Sequence, residues 1–373
     1  MRIPSEAEIL EGLRAWVEIE TPTDHPEGVN RLMGLVAEAY TELGARVVRI
    51  PGRAGAGDHL EIDLPHPRAG ETGVLVLSHL DTVHAVGTLG QLPFRVEGDR
   101  AFGPGICDMK GGAYICYRAL RTLIEAEVET PLPVRLVINS DEETGSETSR
   151  DLIERAAERA KYVLVTEPAR SGGKIVTGRR GVGRYGISTH GRAAHAGTNH
   201  DKGRNAVLEM ARQVIAIEGM TDYARGLTLN VGRIQGGTTD NTVPEWCHAR
   251  IDVRMETEEI AEEIDARLRA LAPHDGDVEV TLTGGINRPP YRKTAGIEAL
   301  FQHARGLAAE IGFALEDMHT GGGSDGSFVA ARVPTLDGLG VDGAAAHTLE
   351  EHLYVSSLVP RMTLQRRLFE TLA

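Results

Sequence analysis

The pattern of apolar and polar positions divides the chain of 373 residues into stretches of different character. In the first 180 or so residues, short apolar runs alternate with segments of helical periodicity. The predicted strands are ARVVRI (45–50), DHLEIDL (58–64), GVLVLS (73–78), VRLVINS (134–140) and KYVLVT (161–166). The predicted helices cover 6–19, 27–43, 110–127 and 147–159. The first helix begins with a capping box of Ser5 and Glu8. This alternation predicts an α/β sheet with helices on its faces.

Between residues 182 and 285 the order of elements is different. A strand, a helix, two strands, a second helix and a last strand follow one another, from GRYGISTHG to DVEVTLTGG. This βαββαβ order is the ferredoxin-like pattern, in which helices cover one side of an antiparallel sheet. The stretch has the length of a small domain.

After Pro289-Pro290 the α/β alternation resumes. The remaining predicted elements are helices over 295–311 and 356–372 and strands near 313–318 and 334–339. The simplest architecture is therefore an α/β catalytic domain of residues 1–179 plus 290–373. A ferredoxin-like α+β domain of residues 180–289 is inserted into it.

Composition narrows the classes of partner and compartment. The formal net charge of −14 argues against nucleic acid or an anionic membrane surface as partner. No run approaches the about 18 consecutive apolar residues of a membrane span, and the N-terminus has no signal-peptide pattern. The cysteines Cys107, Cys116 and Cys247 cannot all pair within one chain, which suits a reducing compartment. We therefore expect a cytoplasmic protein.

Metal-type ligands follow three of the predicted strands. His79 and Asp81 come after GVLVL, Glu142 and Glu143 follow VRLVIN within SDEETGS, and Glu167 follows KYVLV. Open α/β sheets place their chemistry at the carboxyl ends of the strands. His79 and Asp81 face the same way on an extended chain, and a carboxylate beside a ligating histidine fixes its tautomer.

Two further candidates lie in loops. Asp108 belongs to GPGICDMKGG, a Gly-rich turn before a predicted helix. The turn matches no phosphate-binding pattern, and its aspartate suits a metal better than an anion. His347 follows the small-residue loop GAAA, although His319 and His352 are equally suitable from their local sequence.

Each motif alone has an ordinary explanation. Asp108 suits a helix N-cap, the acidic run at 141–143 suits a solvated loop, and His79 suits a surface turn. Their combination points to metal chemistry. Two histidines and three carboxylates are too many for one tetrahedral zinc, but they suit two zinc ions that share a carboxylate and a water.

The chain resembles a zinc-dependent exopeptidase and amidohydrolase family. That family includes glutamate carboxypeptidase (carboxypeptidase G), aminoacylase, acetylornithine deacetylase and succinyl-diaminopimelate desuccinylase. The motifs that carry the resemblance, in family order, are SHLDTV (78–83), GPGICDMKGG (103–112), DEETGS (141–146) and TEP (166–168). The resemblance covers essentially the whole chain and implies a mixed-sheet catalytic domain with an inserted lid and dimerisation domain.

The closest resemblance is to the glutamate carboxypeptidase branch. Its supporting motifs are RRGVG (179–183), AAHAG (193–197), DNTVP (240–244), DVR (252–254), NRPP (287–290) and HTGGGSDG (319–326).

The resemblance distributes the metal ligands over two zinc ions. It implies that His79 and Glu167 bind one zinc, that His347 and Glu143 bind the other, and that Asp108 bridges both. The peptide bond after Asp108 is typically cis in this family. Co²⁺ or Mn²⁺ are alternative metals for such a ligand set.

The resemblance also implies the catalytic roles. Asp81 orients His79, and Glu142 is the general base. Two zinc ions would acidify a water toward a pKa of about 7. Glu142 would take its proton and pass it to the leaving amine.

Residues of the inserted domain complete the site by the same resemblance. His195 is expected to reach the active site of a partner subunit, and Asn241 and Arg254 to hold the substrate's terminal carboxylate. This implies a homodimer built through the inserted domain.

Three further substrate contacts have competing explanations. Arg288 is a candidate contact, although an interdomain salt bridge explains it equally well. The backbone N–H groups of Gly322 and Gly323 could meet a carboxylate or amide, or the stretch could be a flexible turn.

These features predict a di-zinc hydrolase. We expect it to release a C-terminal amino acid, with glutamate favoured, from a peptide or N-acyl amino acid that has a free carboxylate. An aminoacylase or N-acyl amino acid deacylase is the alternative within this class. A metal-binding relative without catalytic activity is the alternative outside it.

Overall fold

The computed structural model describes residues 2–170 and 172–373. Its helices are α1 (Glu6–Val17), α2 (Pro26–Glu42), α3 (Gly112–Glu125), α4 (Arg150–Ala157), α5 (Ala206–Glu218), α6 (Glu258–Arg269), α7 (Ala295–Ile311) and α8 (Leu358–Thr371). The strands up to residue 200 are β1 (Arg46–Ile50), β2 (His59–Asp63), β3 (Gly73–His79), β4 (Arg95–Glu97), β5 (Arg100–Phe102), β6 (Val134–Asn139), β7 (Ala160–Val165), β8 (Ile175–Arg179), β9 (Gly181–His190) and β10 (Ala194–His195). The later strands are β11 (Thr228–Gly236), β12 (Thr242–Val243), β13 (Trp246–Met255), β14 (Glu279–Arg288), β15 (Asp317–Thr320), β16 (Thr335–Leu336), β17 (Gly343–Ala344) and β18 (His352–Tyr354).

The chain forms two compact units. The first contains Met1–Thr177, Lys293–His319 and Ser324–Ala373, and the second contains Gly178–Arg292 and Thr320–Gly323. The sequence interpretation divided the chain at 179/180 and 289/290 and left residues 320–323 in the catalytic domain.

A six-stranded mixed sheet is the centre of the first unit. Its strand order is β1-β2-β6-β3-β7-β16. Strand β3 runs parallel to its neighbours β6 and β7, whereas β2 runs antiparallel to β6. The predicted mixed α/β fold is thus confirmed.

The apolar run of β3 is buried on both faces of this sheet. Val74 and Val76 belong to a core cluster that includes residues of α1, α2, α3 and α8. Leu75 and Leu77 belong to a separate cluster on the opposite face, which includes residues of α4. Because successive side chains of a strand point to opposite faces, a continuous apolar run needs cover on both sides.

Two local predictions in the first unit had different outcomes. The capping box of α1 is confirmed, since Ser5 Oγ accepts the N–H of Glu8 and the Glu8 carboxylate accepts the N–H of Ser5. The strand predicted at 313–318 is wrong in position, because the strand is Asp317–Thr320. Phe313 and Leu315 instead pack into the core cluster behind α7.

The second unit has the ferredoxin-like order β9-α5-β11-β13-α6-β14. Its four strands form an antiparallel sheet in the order β11-β13-β9-β14. Alternating residues such as Ile251 and Val253 on β13 form one core cluster with Met210 of α5 and Ile264 of α6. The two edge strands are β11 and β14.

No α-helix in the described ranges is both long and apolar enough to cross a bilayer.

Candidate metal centre

Three neighbouring strand ends of the first unit bring polar side chains together. His79 is the last residue of β3, Glu142 and Glu143 follow the end of β6, and Glu167 lies two residues after β7. Because β3 is parallel to both neighbours, these carboxyl ends meet at one edge of the sheet. This is the edge at which the sequence pattern predicted the chemistry.

Asp108 reaches this edge from the Gly-rich turn before α3. The turn requires glycine at Gly105, whose φ is 70° and where a Cβ would clash with the side chain of Thr82. The peptide bond from Asp108 to Met109 is cis, as the family resemblance implied. The Asp108 side chain is only 9% exposed.

His347 comes from the loop between β17 and β18. Its φ of 66° lies in the left-handed region, and its side chain is 51% exposed. Of the rival histidines, His352 is buried in β18, where its Nδ1 lies 2.7 Å from the Glu350 carbonyl oxygen. His319 lies in β15. The structure therefore brings His347 to Asp108.

The two oxygens of Asp108 face two different histidines. Oδ1 lies 3.5 Å from Nε2 of His79, and Oδ2 lies 3.5 Å from Nε2 of His347. The same nitrogen atoms lie 3.4 Å from Glu167 Oε1 and from Glu143 Oε2, respectively. Each histidine thus lies beside one carboxylate of its own, Glu167 for His79 and Glu143 for His347, and both histidines lie beside Asp108.

These separations fit metal ligands better than hydrogen bonds. Ligand atoms around a tetrahedral zinc with bonds of about 2.0–2.1 Å lie about 3.4 Å apart. Hydrogen bonds between nitrogen and oxygen are usually about 2.7–3.2 Å. Within the described ranges, Nε2 of His79 and Oε1 of Glu143 are buried and have no hydrogen-bond partner. Buried polar atoms normally have one, so these donor atoms fit a metal ion.

Burial and neighbouring charges shift the pKa values of the clustered side chains. Burial alone would lower the pKa of His79, but surrounding carboxylates, first among them Asp108, raise it well above its ordinary value. Burial raises the pKa of Glu143 to about 7, against the opposing effect of His347. Asp108 and Glu143 in turn raise the pKa of His347 to about 10. Without a metal the cluster therefore retains protons that a metal ion must displace.

Glu142 lies beside this cluster. One of its carboxylate oxygens is within 4.8 Å of ligand atoms of both His79 and Glu167. Its backbone N–H donates to Oδ1 of Asp81 at 3.2 Å. The Asp81 carboxylate also accepts the N–H of Glu143 and is fully buried.

Asp81 also meets His79, as the sequence predicted. Nδ1 of His79 lies 3.0 Å from the Asp81 backbone oxygen and 3.4 Å from its Oδ1. The backbone carbonyl of Asp81 is thus closer to His79 than the Asp81 carboxylate is. The spacing of His79 and Asp81 in the sequence did not reveal this contact.

Two buried carboxylates that the sequence interpretation did not single out hold the loop of Glu142 and Glu143. Asp141 accepts the N–H and hydroxyl of Thr148, both at 2.7 Å. Asp325 accepts the hydroxyl of Ser146 at 2.5 Å. The local sequence shows Asp141 only as part of an acidic run. It gives no sign of Asp325, which lies 179 residues after Ser146 in the sequence.

The second unit contains His195 and Asn241. His195 lies in β10, and its Nδ1 accepts the N–H groups of Gly197 and Thr198 at 3.1 and 3.2 Å. Nδ1 is therefore an acceptor, which leaves the proton of the neutral ring on Nε2. The backbone oxygen of Asn241 accepts the N–H of Ala196, so the two predicted residues are close neighbours.

Arg254 already has an anionic partner. Its Nε and Nη2 donate to the two carboxylate oxygens of Asp252 at 2.7 and 2.9 Å. Its Nη1 donates to the Gly321 carbonyl at 3.2 Å.

A fully buried arginine, Arg179, supports the Gly-rich stretch. Its Nη1 donates to the carbonyls of Gly322 and Gly323, both at 3.0 Å. Gly323 packs so closely on Arg288 that a Cβ there would clash with the arginine Cδ. Arg179 is the first residue of the RRGVG motif (179–183). The motif supported the family resemblance but did not reveal this structural role of Arg179.

Comparisons with known proteins identify the family of the chain. The sequence model of peptidase family M20/M25/M40 matches residues 75–371 of the chain. The chain is 32% identical over 373 residues to carboxypeptidase G2 of Pseudomonas sp. (strain RS-16), covering 96% of this chain and 88% of that protein. It is 28% identical over 381 residues to a succinyl-diaminopimelate desuccinylase of Delftia acidovorans, covering 95% and 96%.

A solved structure has the same fold. The M20 family metallo-carboxypeptidase Sso-CP2 of Sulfolobus solfataricus superposes with a TM-score of 0.78 at 17% identity, covering 97% of this chain and 98% of that one. The family resemblance is confirmed, and the alternative of a relative without catalytic activity is set aside. The chain belongs to peptidase family M20/M25/M40 and is a metal-dependent hydrolase.

Proposed function

We propose that the chain is a two-metal amide hydrolase that releases a C-terminal amino acid, with glutamate favoured. Its substrate would be a peptide or N-acyl amino acid with a free carboxylate. The observation that carries the proposal is Asp108, whose two oxygens each face a different histidine at 3.5 Å. The 32% identity to carboxypeptidase G2 supports the carboxypeptidase reaction.

The cluster supports the predicted division of ligands. His79 and Glu167 would hold one ion, His347 and Glu143 the other, and Asp108 both. Zn²⁺ is the proposed metal, because imidazole and carboxylate are its usual ligands together with thiolate. When bound, the ions would lower the pKa of a water and polarise the scissile carbonyl.

Glu142 is the proposed general base. It stands beside His79 and Glu167 without belonging to the Asp108 bridge. Its carboxylate would take the proton of the attacking water and deliver it to the leaving amine nitrogen, so that the amide leaves as an amine. The hydrogen bond from the backbone N–H of Glu142 to Asp81 positions the Glu142 backbone from which the side chain extends.

The substrate carboxylate is proposed to bind Arg254, Asn241 and Arg288, with the backbone of Gly322 and Gly323. Arg254 presents a planar fork that suits a carboxylate. Because Asp252 occupies two donors of this fork, the substrate would replace Asp252 or share the guanidinium with it. His195 is proposed to donate Nε2–H to the oxyanion, since its Nδ1 already accepts two backbone N–H groups.

A homodimer through the second unit is part of this proposal. Leu208 and Ile215 lie seven residues apart on α5 and are 51% and 75% exposed. Ile234 on the edge strand β11 is 56% exposed. Exposed apolar side chains beside an unpaired strand edge suit a subunit interface. The cytoplasm stays the expected location.

Deacylation of N-acyl amino acids is the second candidate. It is supported by the 28% identity to a succinyl-diaminopimelate desuccinylase over nearly the whole chain. Both reactions cleave an amide next to a free carboxylate, so the same cluster would serve either.

A release assay tests the proposal. Protein loaded with Zn²⁺ or Co²⁺ is incubated with peptidyl and N-acyl amino acids, including folate-like and γ-glutamyl amides, and the released amino acid is quantified. We expect glutamate release to be fastest, and faster release from succinyl or acetyl amino acids would favour deacylation. If the protein hydrolyses only esters, or only amides whose neighbouring carboxylate is blocked, both proposed reactions are contradicted.

A further inference from the structure

Glu351 is a buried carboxylate outside the predicted metal centre. Its exposure is 1%, and it lies four residues after His347, immediately before β18. Neither the sequence motifs nor the proposed mechanism uses it. Its contacts nevertheless reach the turn of Asp108, 243 residues away in the sequence.

One oxygen of Glu351 accepts two consecutive N–H groups of that turn. Oε1 lies 2.9 Å from the nitrogen of Cys107 and 3.0 Å from the nitrogen of Asp108. The N–H of a residue is one bond from its Cα, so these hydrogen bonds fix where the Asp108 side chain begins. Hydrogen bonds from backbone N–H groups to a carboxylate are stronger than those between neutral groups.

The other oxygen connects the turn with the loop after His79. Oε2 accepts the N–H of Gly105 at 3.2 Å and contacts Nε2 of the buried His84. The segment from His79 to His84 is short, so Glu351 joins the three segments that carry His79, Asp108 and His347. The backbone of Glu351 adds a contact, since its carbonyl accepts the N–H of Gly103.

The neighbouring backbone gives this arrangement a defined register. Strand β18 pairs antiparallel with β5, which leads directly into the turn of Asp108. The fully buried Lys110 lies on the same turn, and its Nζ donates to the Ile19 carbonyl at 2.7 Å. The strand pairing therefore places the backbone of Glu351 beside the segment that leads into the turn of Asp108.

We propose that Glu351 is a positioning residue that sets the separation between Asp108 and His347. It would thereby determine how tightly the ion shared by His347, Glu143 and Asp108 is bound. This inference rests on the two-metal centre proposed above. Residues that orient metal ligands typically contribute about 10- to 100-fold to metal affinity or activity when they are replaced.

Glu351→Gln is the informative substitution. It preserves the volume, but the amide nitrogen would face either the N–H of Gly105 or the N–H groups of both Cys107 and Asp108. At least one hydrogen bond is therefore replaced by a repulsion between two donors. Glu20→Gln is the matched control. Glu20 also accepts backbone N–H groups, those of Gly87 and Leu89 at 2.8 to 2.9 Å, but has no hydrogen bond to the Asp108 turn.

The experiment titrates metal-free protein with Zn²⁺ against a chromophoric chelator and records Co²⁺ absorption spectra. For Glu351→Gln we expect one ion to bind as in the wild type and the other roughly 10- to 100-fold more weakly. Its kcat should recover at high Zn²⁺ with little change in KM. The Glu20→Gln protein should match the wild type in both affinities.

The outcomes separate the positioning role from a structural one. If Glu351→Gln lowers the Tm of metal-free protein but binds both ions like the wild type, the proposal is overturned. If the variant does not fold, Glu351→Asp, which keeps the charge but shortens the reach, replaces it in the titration. Failure of both variants to fold, judged by circular dichroism, would assign Glu351 a structural role and also overturn the proposal. A wild-type protein that binds fewer than two ions would instead refute the proposed metal centre.

Discussion

Asp81 accepts the backbone N–H of Glu142 through Oδ1 at a distance of 3.2 Å. The same oxygen lies 3.4 Å from Nδ1 of His79. One fully buried carboxylate therefore connects a proposed metal ligand with the proposed general base. A change at Asp81 should therefore disturb both at once.

Asp81→Asn tests this connection. The amide keeps one acceptor oxygen where the carboxylate serves His79, Glu142, Glu143 and the Thr23 hydroxyl. We expect a loss of roughly 10- to 100-fold in kcat/KM together with weaker metal binding. Steady-state kinetics and Zn²⁺ titration measure the two effects. Thr23→Val removes only one donor to Asp81 and should have a much smaller effect, so equal losses in both variants would contradict this role.

Glu142→Gln should separate metal binding from turnover. The amide cannot accept a proton from water, and general-base catalysis typically contributes about 100- to 10,000-fold. We therefore expect kcat to fall by that factor while the metal content, measured by elemental analysis, stays unchanged. Glu147→Gln, an exposed position in the same loop, is the control and should retain full activity. Near-normal kcat in metal-replete Glu142→Gln protein would sink the assignment.

Metal affinity should rise with pH. The pKa of His347 is raised to about 10 in the metal-free cluster, so between pH 7 and pH 10 a metal ion must displace its proton. The pKa of Glu143 is raised to about 7, so below that pH a second proton opposes binding. Calorimetry in buffers of different ionisation enthalpy should find more protons released per protein at pH 6 than at pH 8. Because His347 is protonated at both pH values, equal proton release would show that Glu143 does not hold a proton that the metal displaces.

Ile215→Asp should yield a monomer. The side chain is 75% exposed, and a carboxylate in its place would have to be desolvated in a subunit interface. Light scattering coupled to size-exclusion chromatography measures the mass, with Val86→Asp, an exposed apolar position 59% accessible in the first unit, as control. If His195 acts in the partner's site, the monomer should also lose activity. A dimeric Ile215→Asp protein would move the interface elsewhere.

Strand periodicity predicts only part of the candidate metal cluster, because Asp108 and His347 lie in a turn and a loop. His79, Glu143 and Glu167 follow apolar runs of neighbouring parallel strands, and that order alone brings their side chains to one edge. His347 could not be chosen over His352 in this way. Both follow irregular segments, and only the pairing of β18 with β5 buries His352 against Phe102.

The supporting contacts escaped prediction for a different reason. Glu351, Asp325 and Arg179 all bind backbone or hydroxyl groups more than 140 residues away in the sequence. Neither hydrophobic periodicity nor a local sequence motif marks a buried charged residue whose partners are so distant in the sequence. Its role becomes visible only when the distant segment is in place.

The chain order of the first unit has a consequence for its biosynthesis. Four of the proposed ligands are made by residue 167, but His347 follows 180 residues later, after the whole second unit. At about 5–20 residues per second, a ribosome needs roughly 10 to 40 s for this interval. The nascent chain can therefore retain at most an incomplete centre. We therefore expect catalytic competence only after His347 has been translated, and chains that terminate before it should be inactive.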